Sequence, residues 1–140
     1  MKKITKILIL FILLGTFLIP ATVHASSFEG DKVIFGSNYT LQEGETLNGD
    51  LVVFGGNVTL EDSSTINGDT LVFGGNLTSN GTINGDLVGL GGFIVLGEKA
   101  QVQGDLTVFG SSYESSASTV ITGNIITEES IPFEFNLPEF

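Results

Sequence analysis

The stretch "LNGDLVVFGGN", residues 47–57, is written again as "INGDTLVFGGN" at residues 66–76. Taking the Gly of each Gly-Asp pair as a marker extends the pattern in both directions. The markers are Gly30, Gly49, Gly68, Gly85 and Gly104, with a Gly-Asn version at Gly123, in steps of 19, 19, 17, 19 and 19. Two residues before each marker stand Phe28, Leu47, Ile66, Ile83, Val102 and Ile121, all apolar. Five residues after the marker come Phe35, Phe54, Phe73, Leu90 and Phe109; nine after it come Tyr39, Val58, Leu77, Ile94 and Tyr113. Three apolar columns held in phase over so many copies make the repeat the governing feature of the chain.

Each copy contains short apolar runs, such as "LVVF" and "VTL", rich in β-branched residues and bounded by Gly, Asn, Asp and Ser. These are strand and turn signals, and no copy has room for a helix of about 10–12 residues with its connections. One copy cannot bury its apolar side alone, whereas copies stacked in register share one continuous core. The expected fold is therefore all-β: a single-stranded parallel β-helix, or solenoid, of about six coils of 17–19 residues. Stacking places equivalent residues above one another at the ~4.8 Å spacing of adjacent strands. Leu47, Ile66, Ile83, Val102 and Ile121 then form an internal aliphatic ladder. Asn48, Asn67 and Asn84 are expected to stack and share amide hydrogen bonds, and the Gly of "NGD" to permit the corner. In the short copy, Asn80-Gly81 replaces a longer connection, so the two missing residues belong to a corner and leave the core register intact.

The segment up to Ala25 reads differently. Lys2, Lys3 and Lys6 precede an apolar run from 7 to 19, Pro20 ends it, and small residues around His24 and Ala25 suit cleavage. This is the pattern of a secretory signal peptide, and the run is short for a membrane span. The expected organisation is a signal peptide at 1–25, a β-helix domain at 26–128 and an extended C-terminal tail at 129–140, in a protein exported to the surface or envelope of a bacterial cell. After Ala25 the chain keeps two basic residues, Lys32 and Lys99, against sixteen acids, a net charge of −14, and has no His, Cys, Arg or Trp. Such a surface repels nucleic acid, which is held by Lys and Arg, and anionic lipid headgroups.

The recurring apolar-x-Gly-Asp-apolar corner, as in "INGDTL" and "VQGDLT", resembles that of the bactofilin family of polymer-forming cytoskeletal proteins, over residues 28–126. The likeness is nearest to exported relatives with repeated "NGDLVVFGGNVTL" units. It implies a right-handed β-helix that polymerises end to end without a nucleotide. This chain departs from typical members in its export signal and in the length of its coils, which are often shorter in the family.

In "DLVVF" at residues 50–54, alternation allows Leu51 and Val53 to point inward, or Val52 and Phe54, but not both pairs. Counting alternate residues from Leu47 through Gly49 favours the first choice. Counting apolar residues in each column favours the second, because the Leu51 column includes Lys32 and Thr70 and the Val53 column includes Gly89. The family's corner reads with Leu51 inside. Either choice leaves an apolar stripe outside, larger than soluble monomers usually expose, unless the corner half-buries both columns. Phe35, Phe54, Phe73, Leu90 and Phe109 are the expected self-association residues. Three covers suit such a stripe: a second copy, a cell-wall or membrane-associated component, or the segment "IPFEFNLPEF" at 131–140. In that segment Ile131, Phe133, Phe135 and Leu137 alternate with Pro132, Glu134, Asn136 and Pro138. Open strand edges at the ends of the stack also template pairing. Lys32 sits in the first coil as a deterrent to it, and Glu128 takes the phenylalanine position in the last.

Asp31, Asp50, Asp69, Asp86 and Asp105 form an acidic column. Carboxylates suit divalent cations, but Asp is also a good turn residue, and the turn reading is preferred. "NYT", "NVT", "NLT" and "NGT" at Asn38, Asn57, Asn76 and Asn80 fit the glycosylation sequon, yet three of them fall in one repeat column. "FGGN" lacks the lysine and helix of a phosphate loop. With no His or Cys for general-base or nucleophilic work, and no loops to wall a cleft, no enzyme and no cofactor are expected. The expected function is an exported, non-enzymatic structural protein that self-associates into filaments or oligomers through its ends and an apolar face. The alternative is a monomeric cell-surface module binding a wall polymer or a divalent cation.

Overall fold

The computed structural model describes residues 26–128. The expected signal peptide and the expected tail lie outside the described residues. Among the described residues, fifteen strands, numbered in chain order, wind into a parallel β-solenoid with three faces. Face one is built from β1 (Ser27–Glu29), β4 (Thr46–Asn48), β7 (Thr65–Ile66), β10 (Thr82–Ile83), β12 (Gln101–Val102) and β14 (Val120–Ile121). Face two holds β2 (Lys32–Phe35), β5 (Leu51–Phe54), β8 (Thr70–Phe73), the first halves of β11 (Leu87–Leu96) and β13 (Leu106–Ser115), and β15 (Ile125–Thr127). Face three holds β3 (Asn38–Leu41), β6 (Asn57–Leu60), β9 (Asn76–Ser79) and the second halves of β11 and β13. Every pairing is parallel. Five coils are complete; the sixth has strands on faces one and two only among the described residues.

The repeat columns are the pairing registers. Leu47 pairs with Ile66, Ile66 with Ile83, Ile83 with Val102 and Val102 with Ile121, each on face one. The short step is confined to one corner. Before it, Leu60 pairs with Ser79 at the full repeat length; after it, Thr65 pairs with Thr82 at the shortened one. In the long coils this corner is a tight turn closed by amide-to-carbonyl bonds, such as Ser64 to Glu61 at 3.1 Å and Ala100 to Gly97 at 3.1 Å. The short coil lacks that turn, and the buried Ser79 hydroxyl takes its place by accepting from the Gly81 amide at 3.3 Å.

The core is the space enclosed by the three faces. Leu47, Ile66 and Ile83 from face one, Leu51, Val53 and Leu87 from face two, and Leu60, Leu77 and Ile94 from face three are all buried there. Each fully buried aliphatic side chain stabilises by about 1.5–3 kcal/mol. Alternation on face two resolves with Leu51 and Val53 inside, Val52 half-buried outside and Phe54 exposed. Gly89, the gap in the Val53 column, is not a void, because the end of the Ile94 side chain fills the place its Cβ would take.

The glycines of the repeat work in two ways. At the corner between faces two and three, Gly55, Gly56, Gly91 and Gly92 have φ between +71° and +93°, which only glycine adopts without strain. Of the Gly-Asp marker glycines, all but Gly30 have no such φ. They are needed because coils touch there: a Cβ on Gly68 would run into the Gly49 carbonyl and the Asp50 carboxylate of the coil before. The expectation of a corner strained for other residues is thus corrected to one of close approach between backbones.

Candidate functional site

The outward surface of face two is the candidate site. Parallel pairing carries Phe35 onto Phe54, Phe54 onto Phe73, Phe73 onto Leu90 and Leu90 onto Phe109. The rings of Phe35 and Phe54 stack with centroids 5.1 Å apart and planes 8° from parallel; Phe54 and Phe73 repeat this at 5.1 Å and 11°. Phe35 is 70% exposed, Phe54 43% and Leu90 36%, while Phe73 and Phe109 are half-buried. Two residues earlier on each strand, Val33, Val52, Leu71 and Val88 form a second outward apolar column. Five strands at the parallel-sheet spacing make this surface roughly 19 Å long. It is two side chains wide and carries no charge until Glu128. There the Glu128 carboxylate accepts the Gly110 amide and ends the apolar run.

The rings stand one above another along the solenoid axis. The faces of Phe35, Phe54 and Phe73 are turned to one another, so stacking within the column takes up ring faces that a ligand would otherwise use. That surface suits flat apolar contact better than the face-on stacking by which aromatic rings hold sugars.

The acidic column is engaged within the fold. Asp31 Oδ1 accepts the Asp50 amide at 2.9 Å, and Asp50, Asp69 and Asp86 each accept the amide of the aspartate in the next coil at 2.8 Å. Asp105 closes the series by accepting the Asn124 amide at 2.7 Å. One oxygen of every carboxylate therefore ties two coils together. Among the described residues, no group of three or more His, Cys, Asp or Glu is placed to hold a metal ion.

Two amide ladders flank these corners. Asn67 donates to Asn48 at 2.7 Å and Asn84 to Asn67 at 2.6 Å, with Asn48 donating to Glu29 at 2.7 Å. Asn57 donates to Asn38 at 3.0 Å and Asn76 to Asn57 at 2.9 Å. The second ladder gives three of the four sequon asparagines a structural reason.

The two ends of the stack differ. At the N-terminal end Lys32 lies in the inward Leu51 column. Its ammonium sits 4.6 Å from the centre of the Tyr39 ring and 5.9 Å from that of Phe28, an arrangement the ring quadrupoles favour. Burial, and then the charge of Glu45, hold the Tyr39 phenol above its ordinary pKa. At the C-terminal end, Val108, Ser111, Tyr113, Thr127 and Glu128 line a hollow of about 400 Å³.

The sequence placed all five stripe residues in one column, and they do lie on one outward face. Counting from Leu47 and the family's corner both set the Leu51 column inside, and Lys32 with it, as the structure has it; what the sequence did not show is the use of each aspartate as an acceptor for the next coil. Comparison with protein-family models, with curated proteins and with solved structures finds no match to this chain.

Proposed function

We propose that the chain is an exported, non-enzymatic structural protein of the cell surface or envelope, which self-associates into oligomers or filaments through its apolar face and the ends of its stack. The observation that carries this reading is the outward phenylalanine column with its flanking aliphatic column: a long, uncharged, flat apolar surface in a chain that is otherwise strongly acidic. Contiguous apolar surface of this kind marks an interaction site. Parallel strand edges at the ends add backbone groups able to pair with another chain. The bactofilin-like corners point the same way, since that family forms polymers.

The rival reading, a monomeric module for a wall polymer or a divalent cation, draws less support. Stacking within the column takes up ring faces, and the aspartates are already engaged by backbone amides. Sizing of the purified chain over a hundred-fold range of concentration, with negative-stain imaging at the highest, tests the proposal. Dimers or filaments are expected, together with a shift to smaller species in Phe54→Asp. A wild-type chain that stays monomeric throughout would overturn it.

A further inference from the structure

We propose that the first coil is a cap, in which Phe28, Lys32 and Tyr39 close the N-terminal end of the core so that a second copy cannot stack on it. The inference rests on the self-association reading and narrows it, by taking one of the two ends out of the contact.

Five columns point into the core. In four of them the first coil carries a larger residue than the second: Phe28 stands over Leu47, Lys32 over Leu51, Ile34 over Val53 and Tyr39 over Val58. The fifth sets Leu41 over Leu60. The three longest of these side chains come from three different faces, Phe28 from face one, Lys32 from face two and Tyr39 from face three, and they meet. The Lys32 ammonium lies 4.6 Å from the centre of the Tyr39 ring and 5.9 Å from that of Phe28. Its apolar stem covers the core while its charge rests on the rings. The coil beneath is sealed as a result. Leu47, Leu51, Val53 and Val58 are at most 1% exposed, although among the described residues only one coil lies above them. End repeats of solenoids depart from the pattern for this reason, since an ordinary repeat would leave the core open.

A copy stacked on this end would take the Lys32 charge out of water. In a head-to-tail contact that keeps the register, Ile125 of the inward Leu51 column would lie on Lys32, and an apolar side chain offers an ammonium no partner. In a head-to-head contact two Lys32 ammonium groups would share one interface. A charge left unpaired in a dry contact is strongly unfavourable, and lysine at a sheet edge is a common deterrent to pairing. The consequence reaches the shape of the assembly. An open filament built by stacking uses both ends of every copy, whether the copies run head to tail or alternate. With one end capped, axial contact joins two copies tail to tail and stops. Longer assemblies then grow through the phenylalanine face.

The test removes the lateral contact with Phe54→Asp in the full-length chain and compares that protein with one that also carries Phe28→Leu, Lys32→Leu and Tyr39→Val, which give the first coil the residues of the second. Sedimentation is read over a hundred-fold range of concentration. The capped protein is expected to stay no larger than a dimer. The uncapped one should rise at least two-fold above it in average mass and appear as rods one solenoid wide in negative stain. Amide exchange on the wild type gives a second reading that depends on no variant: protection over residues 27–41 should not change with concentration. Protection there that grows with concentration would overturn the proposal, because a second copy would then be seated on the first coil. So would an uncapped protein that is folded, with residues 70–79 still protected, and keeps the mass of the capped one. A wild type that is monomeric throughout, beside an uncapped protein that stacks, removes the self-association reading and leaves the cap standing.

Discussion

The two sides of β5 carry nearly the same chemistry and have opposite fates. Leu51 and Val53 point inward and are fully buried, whereas Val52 is half-buried and Phe54 is 43% exposed, although all four are apolar. Hydrophobicity alone did not sort them. Closure of the coil did: the corners at Gly55-Gly56 and at Gly49-Asp50 bend the chain toward one side of the strand, and only that side meets side chains from the other two faces. The inward ladder is thus bound to its own molecule. The outward ladder gains ring-to-ring contact along one sheet and keeps its remaining surface for something else.

The sharpest way to break this contrast is to cut the inward ladder. Ile66 is fully buried between Leu47 and Ile83, and Ile66→Ala should lower stability by about 2–5 kcal/mol, the cost of a cavity in a core that cannot collapse freely. Urea unfolding at a concentration where the protein is monomeric would measure it. A loss under about 1 kcal/mol would mean that the ladder does not hold the coils together.

The next effect concerns the corner. Asp69 Oδ1 accepts the Asp86 amide at 2.8 Å on an exposed edge. Asp69→Ala should cost about 1 kcal/mol in the same measurement, and Asp69→Asn, which keeps an acceptor and removes a like charge from the column, should cost less or stabilise. Equal losses in the two variants would show that charge, not the hydrogen bond, is what matters there.

Thr70 turns the sign around. It sits in the inward column between Leu51 and Leu87, fully buried, and its hydroxyl has no hydrogen-bond partner. Replacing it with the isosteric Val removes an orphaned polar group, so Thr70→Val should raise stability by about 1 kcal/mol. A destabilised variant would mean that the hydroxyl contributes to the core after all.

Much of this contrast could be read from the residues. The column Phe28, Leu47, Ile66, Ile83, Val102 and Ile121 set the phase of the coil, and the two missing residues fell at Asn80-Gly81 because strands cannot lose residues without turning side chains over. Composition misled in one place: Lys32 and Thr70 made the Leu51 column look like an outer one, yet it is inner. Lys32 is tolerated because it lies in the first coil, where the stack ends and its ammonium can rest over the Tyr39 ring. Thr70 is tolerated because neighbouring coils carry the burial. The role of the "NGD" glycines was not legible. It depends on how closely one coil lies on the next, a distance between residues a full repeat apart that no local rule contains.

The smallest effect asks whether the outward ladder contributes to the fold at all. Phe54 stacks on both Phe35 and Phe73, while Phe35 has only one ring neighbour. An offset aromatic pair contributes about 0.5–1.5 kcal/mol beyond its buried area, and exposure puts these pairs at the low end. A double-mutant cycle with Phe35→Ala and Phe54→Ala should therefore give a coupling of about 0.5 kcal/mol, measured by urea unfolding of monomer. Phe54→Ala alone should cost about twice what Phe35→Ala does, because it loses two contacts in place of one. If the coupling vanishes, the rings are aligned by the backbone ladder and contribute nothing to it. Their recurrence down the column would then have no explanation inside the monomer, and the outward face would stand entirely as a surface for contact.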